Sequence, residues 1–189
     1  MKNKIGILIE NRFIDREIIY YSNRFREEGM ETVFLTRLWG QPELTFKGLE
    51  LGMALTAKNS FEELTDKELD EYAAVIAPAG YVSDYLLYSQ KPMEVSPAAK
   101  FIKKLMGRTD ITKGFICHSL WLAGPVKEAF AGRTVTCHNN IISHVINAGI
   151  NYTDSDVYVD GDLITARTGD LFAEFARALI ENSHTKEAG

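Results

Sequence analysis

Cys117 and His118 stand side by side at the end of an apolar run, in the stretch GFICHSLW. A cysteine placed where a buried strand turns into a helix is held up at the top of a sheet, the nucleophile-elbow arrangement. The positive end of the following helix would favour thiolate over thiol and lower the pKa. Backbone N–H groups at the helix start would serve an oxyanion. The flanking positions hold Phe115 and Ser119 where the Gly-x-nucleophile-x-Gly elbow has glycines. A second reading therefore stands beside the first: a small inert core residue, since free cysteine is among the most buried types.

His118 is the obvious base for that thiol, or simply a polar residue opening a helix. Gly80, after Pro78-Ala79, can bring a backbone N–H close to a ligand. Asp84, four residues on, could orient an imidazole or cap a helix. Glu17 is an acid in the first turn of a helix after the first strand, where the macrodipole alone would favour a carboxylate. Cys137, His138 and His144 together admit a metal reading, but their spacing fits no standard zinc pattern. No metal and no cofactor is expected.

The elements that must position these groups alternate along the chain. Ile5–Ile9, Thr32–Thr36, Ala73–Ala79 and Gly114–Cys117 are apolar runs of the kind buried on both sheet faces. Asp15 can cap the helix carrying Ile18, Tyr21 and Phe25 on one face, with Gly29 ending it. Residues 41–62 look like irregular sheet turning at Gly48 and Gly52. Phe101, Ile102, Leu105 and Met106 share a helical face. Arg133–Cys137 reads as a strand, IISHVINAG as a short helix, and VYVDGDLIT as a hairpin around Asp160-Gly161. Leu171, Phe175 and Leu179 mark a C-terminal helix. Strand and helix in alternation predict an α/β domain with a mostly parallel sheet, whose sites lie beyond the strands' carboxyl ends. Three loops arrive there, after Ile9, Ala79 and Ile116.

The chain has 189 residues, with no internal repeat and no linker, and reads as one domain over 1–189. A net charge of −5 argues against a nucleic-acid partner. No apolar run is long enough for a membrane span, and the N-terminal run is too short for a signal-peptide core. Two cysteines make no disulfide framework. A cytoplasmic protein with reduced thiols is expected.

The order of FIDREI, APAGYVSD, GFICHS, GRTVTCHN and VYVDGDLITAR resembles the ThiJ/PfpI superfamily, from Lys4 to about Ile180. ICHS is similar to the family's ICHG elbow, and VYVDGDLITAR to its VVDGNLITSR segment. The resemblance implies a flavodoxin-like three-layer α/β/α sandwich and a reactive Cys117. It implies that Glu17 hydrogen-bonds the sulfur and is itself protonated, because two like charges in contact do not both ionise cheaply. It makes Gly80 and His118 donors of backbone N–H groups to the oxyanion. In the PfpI-like branch the histidine is oriented by an acid from a neighbouring subunit, and Asp84 matches that position one methylene shorter. His138 matches a pocket histidine of the deglycase branch, so features of both branches meet here. Ser119-Leu120 replaces the usual GP, and Trp121 after it narrows or reshapes the pocket. Members are usually dimers or assemblies of dimers, which places Asp84 near an interface. The stretch YVSDYLLY suits such an interface or a buried helix.

The implied activity is glyoxalase- or deglycase-like work on small reactive carbonyls through a Cys117 thiolate. The alternatives are an intracellular peptidase or amidase using Cys117, His118 and Asp84, a stress sensor through Cys117 oxidation, and a metal-binding module.

Overall fold

The computed structural model describes residues 2–187. Five strands and their crossovers build most of one sheet, with a hairpin beside it. They are β1 (Lys4–Leu8), β2 (Glu31–Thr36), a hairpin of β3 (Leu44–Lys47) and β4 (Ala54–Ala57) outside that sheet, β5 (Asn59–Ser60), β6 (Tyr72–Ala77) and β7 (Thr112–Ile116). A small pair, β8 (Thr134–Val135) and β9 (Asn151–Tyr152), also stands apart, and β10 (Val157–Asp160) and β11 (Leu163–Ala166) complete the main sheet. Its order is β10-β11-β7-β6-β1-β2-β5. All neighbours are parallel except the β10–β11 hairpin. The chain leaves β1 towards β2 on one side and later reaches β6 on the other, so the strand order reverses between β1 and β6. That reversal opens a crevice at the carboxyl ends, where α/β sheets hold their ligands.

The helices are α1 (Asp15–Glu27), α2 (Asp66–Leu69), α3 (Val82–Leu86), α4 (Pro97–Met106), α5 (Ile142–Asn147) and α6 (Phe172–Glu187). Gly114 and Phe115 are adjacent on β7 and so face opposite sides of the sheet. A Cβ on Gly114 would meet Phe175 and Leu179 of α6. Phe115 packs edge-on against Phe130, with ring centroids 5.7 Å apart. The α6 helix, with α1 against it, thus covers one face. The 119–130 segment and α4 cover the other, giving the three layers expected. The strand cores are apolar because both faces are covered: every residue of β6 and β7 is buried. In α1 the buried stripe is Ile18, Tyr21 and Phe25, as the spacing required.

Three local expectations are corrected. Asp15 does not cap α1. Ile14 occupies the cap position, and the Asp15 carboxylate turns instead to the loop between β3 and β4. The segment after Cys117 is not an α-helix but 3₁₀ turns over Ser119–Phe130, broken at Val126 after Pro125. The β10–β11 turn is centred one residue later than Asp160-Gly161, because Asp160 pairs with Leu163 and leaves Gly161 and Asp162 as the turn. Arg133–Cys137 forms only the two-residue β8.

Candidate active site

Cys117 leaves β7 with φ +62°, a left-handed conformation that side chains rarely adopt. Three backbone contacts hold it there. Its N–H donates to Ala166 O (2.9 Å), its carbonyl accepts from His138 N–H (3.1 Å), and the His118 carbonyl accepts from Trp121 N–H (2.9 Å). The side chain is 9% exposed. Its sulfur lies 3.3 Å from Nδ1 of His118, and the backbone N–H groups of Gly169 and His118 also reach it.

The elbow exists, but its electrostatics differ from expectation. Burial pushes the Cys117 thiol up. The two N–H contacts pull the other way without overcoming it, and the carboxyls of Glu17 and Asp170 add to the rise. The expected depressed pKa is therefore corrected. One physical reason is the broken 3₁₀ segment, which does not align peptide dipoles as a long α-helix would. Cys137 is a different thiol: fully buried, and pushed by burial to about 11.

Glu17 has no solvent exposure, and its carboxyl is pushed up to about 8, chiefly by burial. The Ala79 N–H donates to both oxygens (3.2 and 3.0 Å). The buried Tyr21 hydroxyl lies on the same carboxyl, short of good hydrogen-bond geometry. Glu17 is thus mainly protonated at neutral pH, because of burial rather than of the like-charge contact expected. It is coupled to Cys117 through its charge when ionised, and no hydrogen bond between the two is present among the described residues.

His118 is half-buried, and its ring stacks on His138 with centroids 4.3 Å apart. Burial and the His138 ring push its pKa below the ordinary value, while the charge of Asp84 works in the opposite direction. His118 is therefore a neutral imidazole at pH 7, able to accept the thiol proton. Asp84, in α3, lines the same pocket but makes no hydrogen bond to His118 among the described residues. Its exposed carboxylate acts on His118 only through the field. His138 accepts the Asn140 N–H at Nδ1 (3.2 Å), so in the neutral ring the proton sits on Nε2.

Gly80 has φ +87°, and a Cβ there would lie 2.5 Å from the Arg12 carbonyl. Only glycine fits. Its N–H has no acceptor among the described residues, and the residue lines a pocket of about 560 Å³. Cys117, His118, Gly80, Asp84, His138 and Trp121 all line that pocket. Trp121 is half-buried, its ring centroid 4.7 Å from that of His144. Among the described residues, no three His, Cys, Asp or Glu side chains form a group suited to a metal ion.

Two walls of the pocket escaped the sequence reading. Thr168, Gly169 and Asp170 follow β11, and Leu49 and Glu50 belong to the β3–β4 hairpin. Gly169 sits so close to the floor that a Cβ would lie 3.1 Å from Ala79 Cβ. The TGD after a buried strand was the available signal, since it too ends at the carboxyl edge of the sheet.

Residues 3–182 match the DJ-1/PfpI family. The chain belongs to that family. A relative from Escherichia coli (strain K12), Protein/nucleic acid deglycase 2, is 32% identical over 181 residues, covering 95% of this chain and 97% of its own. A Bacillus subtilis relative, YraA, provisionally named a cysteine protease, is 27% identical and covers 94% of this chain and 96% of its own. Schizosaccharomyces pombe DJ-1 superposes with a TM-score of 0.76 at 16% identity, over 98% of this chain and 97% of that one, a likeness of fold. No helix among the described residues is long and apolar enough to cross a membrane.

Proposed function

We propose that this DJ-1/PfpI family member is a cysteine-dependent enzyme acting on small reactive carbonyls, glyoxalase- or deglycase-like. The observation that carries the reading is the 3.3 Å contact between Cys117 Sγ and His118 Nδ1 in the lining of a pocket of about 560 Å³, with a protonated Glu17 whose charge would act on the sulfur. A thiol whose pKa is raised is not a ready-made thiolate. It needs a base within reach, and neutral His118 is that base. Cys117 attacks the aldehyde carbon as His118 takes the thiol proton. The new oxyanion is met by the Gly80 N–H and protonated by His118 to give a hemithioacetal. With methylglyoxal, neutral His118 takes the carbon-bound proton and the ketone oxygen is protonated to give an enediol; return of a proton to the former ketone carbon, with loss of the first hydroxyl's proton, gives a lactoyl thioester. Water then releases lactate and restores the thiol, so methylglyoxal plus water becomes lactate. With an amine adduct the amine leaves first, taking a proton from His118 or Glu17.

The peptidase reading is less well supported. An imidazole turning over acyl groups needs an orienting partner, and Asp84 makes no hydrogen bond to His118 within one chain. A second copy that covers the exposed Tyr81, Tyr85 and Tyr88 of this region would bring new groups to Asp84, and a homodimer is part of the proposal. Turnover of methylglyoxal to lactate by the wild type and not by Cys117→Ala tests the enzyme reading. No turnover, with ready oxidation of Cys117 by dilute peroxide, would favour the sensor instead.

A further inference from the structure

Asp15 is the one charged side chain near the pocket that the proposed chemistry leaves unused and that solvent does not touch. It is fully buried, and no cation pairs with it among the described residues. A carboxylate so placed is costly unless hydrogen bonds replace its water. Apart from Asp15's own backbone N–H, they come from the loop between β3 and β4. Glu50 N–H and Leu51 N–H donate to Oδ2 at 2.8 and 3.2 Å, and Met53 N–H donates to Oδ1 at 2.8 Å. Burial works against ionisation here, but these three donors outweigh it and hold the carboxyl below its ordinary range. Gly48 completes the cradle, since a Cβ there would fall 2.1 Å from Oδ1. Leu49 N–H adds a bond to Phe13 O (2.8 Å).

Arg16, the next residue, grips the same loop from outside. Its Nε and Nη2 donate to Glu50 Oε1 at 2.9 and 2.7 Å, and its backbone N–H donates to Oε2 at 3.3 Å. Nη2 also reaches Asp170 Oδ1 at 3.4 Å. Asp170 follows Gly169, whose N–H touches the Cys117 sulfur. Asp15 and Arg16, the two residues immediately before Glu17, therefore tie together the hairpin wall and the wall at Thr168–Asp170.

We propose that Asp15 and Arg16 are positioning residues that clamp the Gly48–Met53 loop as a fixed wall, and that this wall sets the size of carbonyl that reaches Cys117. Swinging the loop out would break three N–H bonds to a buried carboxylate. The aperture beside Leu49 and Glu50 is therefore set by the fold rather than by the substrate. This rests on the carbonyl reading above, and the wall bears on the bulk of the group that enters beside Leu49 and Glu50.

The test uses size-graded thiol reagents and does not depend on turnover. Alkylation of Cys117 by iodoacetamide and by a bulky dye-maleimide is followed by peptide mass spectrometry in the wild type, Asp15→Asn, Arg16→Gln and Glu50→Gln. Asp15→Asn turns an NH₂ donor onto backbone donors. It is expected to raise the maleimide-to-iodoacetamide rate ratio about tenfold, the scale of one lost charge-assisted hydrogen bond. Arg16→Gln and Glu50→Gln, which alter partly exposed groups, are expected to raise it about threefold. A ratio unchanged in the folded variants, or equal acceleration of both reagents, overturns the clamp. Should Asp15→Asn not fold, the other two variants decide. If the wild type fails to consume methylglyoxal, the carbonyl reading falls while the alkylation ratio still judges the wall.

Discussion

Replacing Glu17 by Gln removes a titration while keeping the shape. The amide oxygen can still accept the Ala79 N–H, and its NH₂ still offers a donor to the pocket. The carboxyl titrates near 8 in the fold and near 4.3 in the unfolded chain. Below about pH 4.3 both states hold the proton, and the group has no effect on stability. Between the two values the unfolded chain has released the proton and the folded chain retains it. Folding stability then falls with rising pH, by about 1.4 kcal/mol per unit. Above 8 the loss levels off at about 5 kcal/mol, the product of the shift and that slope. At pH 7 it is about 4 kcal/mol. Glu17→Gln lacks this loss, so the variant should match the wild type near pH 4 and exceed it increasingly up to pH 9. Urea unfolding of both proteins at pH 4.5, 7 and 9 reads the difference directly, and other titrating groups cancel in it. Stability curves that run parallel would refute a protonated Glu17. A wild type that gains on the variant as pH rises would show a carboxylate stabilised by the fold, reversing the argument.

Methylglyoxal turnover should be bell-shaped in pH. The acid limb lies below the ordinary histidine range, because His118 must be neutral and its pKa is depressed. The alkaline limb lies near 8, because an ionised Glu17 opposes the negative charge that develops on the Cys117 sulfur, and Glu17→Gln should abolish that limb. Iodoacetamide labelling of Cys117 should keep rising with pH beyond the ordinary thiol value, since burial raises its pKa. His118→Phe should slow turnover by about 10²–10⁴-fold as the base is lost, which paired kcat measurements would check. Gly80→Ala should destabilise the fold by several kcal/mol, of order 1–3 for the backbone alone plus the clash with the Arg12 carbonyl, read by thermal melting. Sedimentation at micromolar concentration should give a dimer, and a strict monomer would remove the partner role imagined for Asp84.

Apolar strands are legible because burial on both sheet faces leaves a continuous signature, and β1, β6 and β7 fall where Ile5–Ile9, Ala73–Ala79 and Gly114–Cys117 pointed. The three loops expected at the carboxyl ends do meet there. What escaped depends on long-range partners. Asp15 looks like a cap because caps and loop anchors use the same residue type. Only the fold reveals that its donors come from residues 50–53. The SLWLAG run looks helical by composition, and Pro125 with the kink at Val126 denies it the α form. Gly169 carries no chemistry of its own, and its one local signal is the TGD that follows a buried strand.

The same 3₁₀ segment bears on how Cys117 is activated. An elbow feeding a long α-helix could hold a thiolate by dipole alone. Here the dipole is weak, the sulfur is buried and Glu17 is a latent negative charge beside it, so the thiol form is favoured at rest. Reactivity must then be made at the moment of attack, which assigns the task to His118 at 3.3 Å. The stack on His138 and partial burial keep that imidazole neutral, and so competent as a base, against the pull of Asp84. A second subunit that pressed Asp84 onto His118 would strengthen the opposite tendency. It would raise the histidine's pKa and shift the pair towards thiolate–imidazolium. The balance between a resting thiol and a resting ion pair therefore turns on how closely Asp84 approaches His118. Comparing the pH dependence of Cys117 labelling in Asp84→Asn and in the wild type measures that approach. An identical profile in the two would mean that the carboxylate plays no part in setting the thiol.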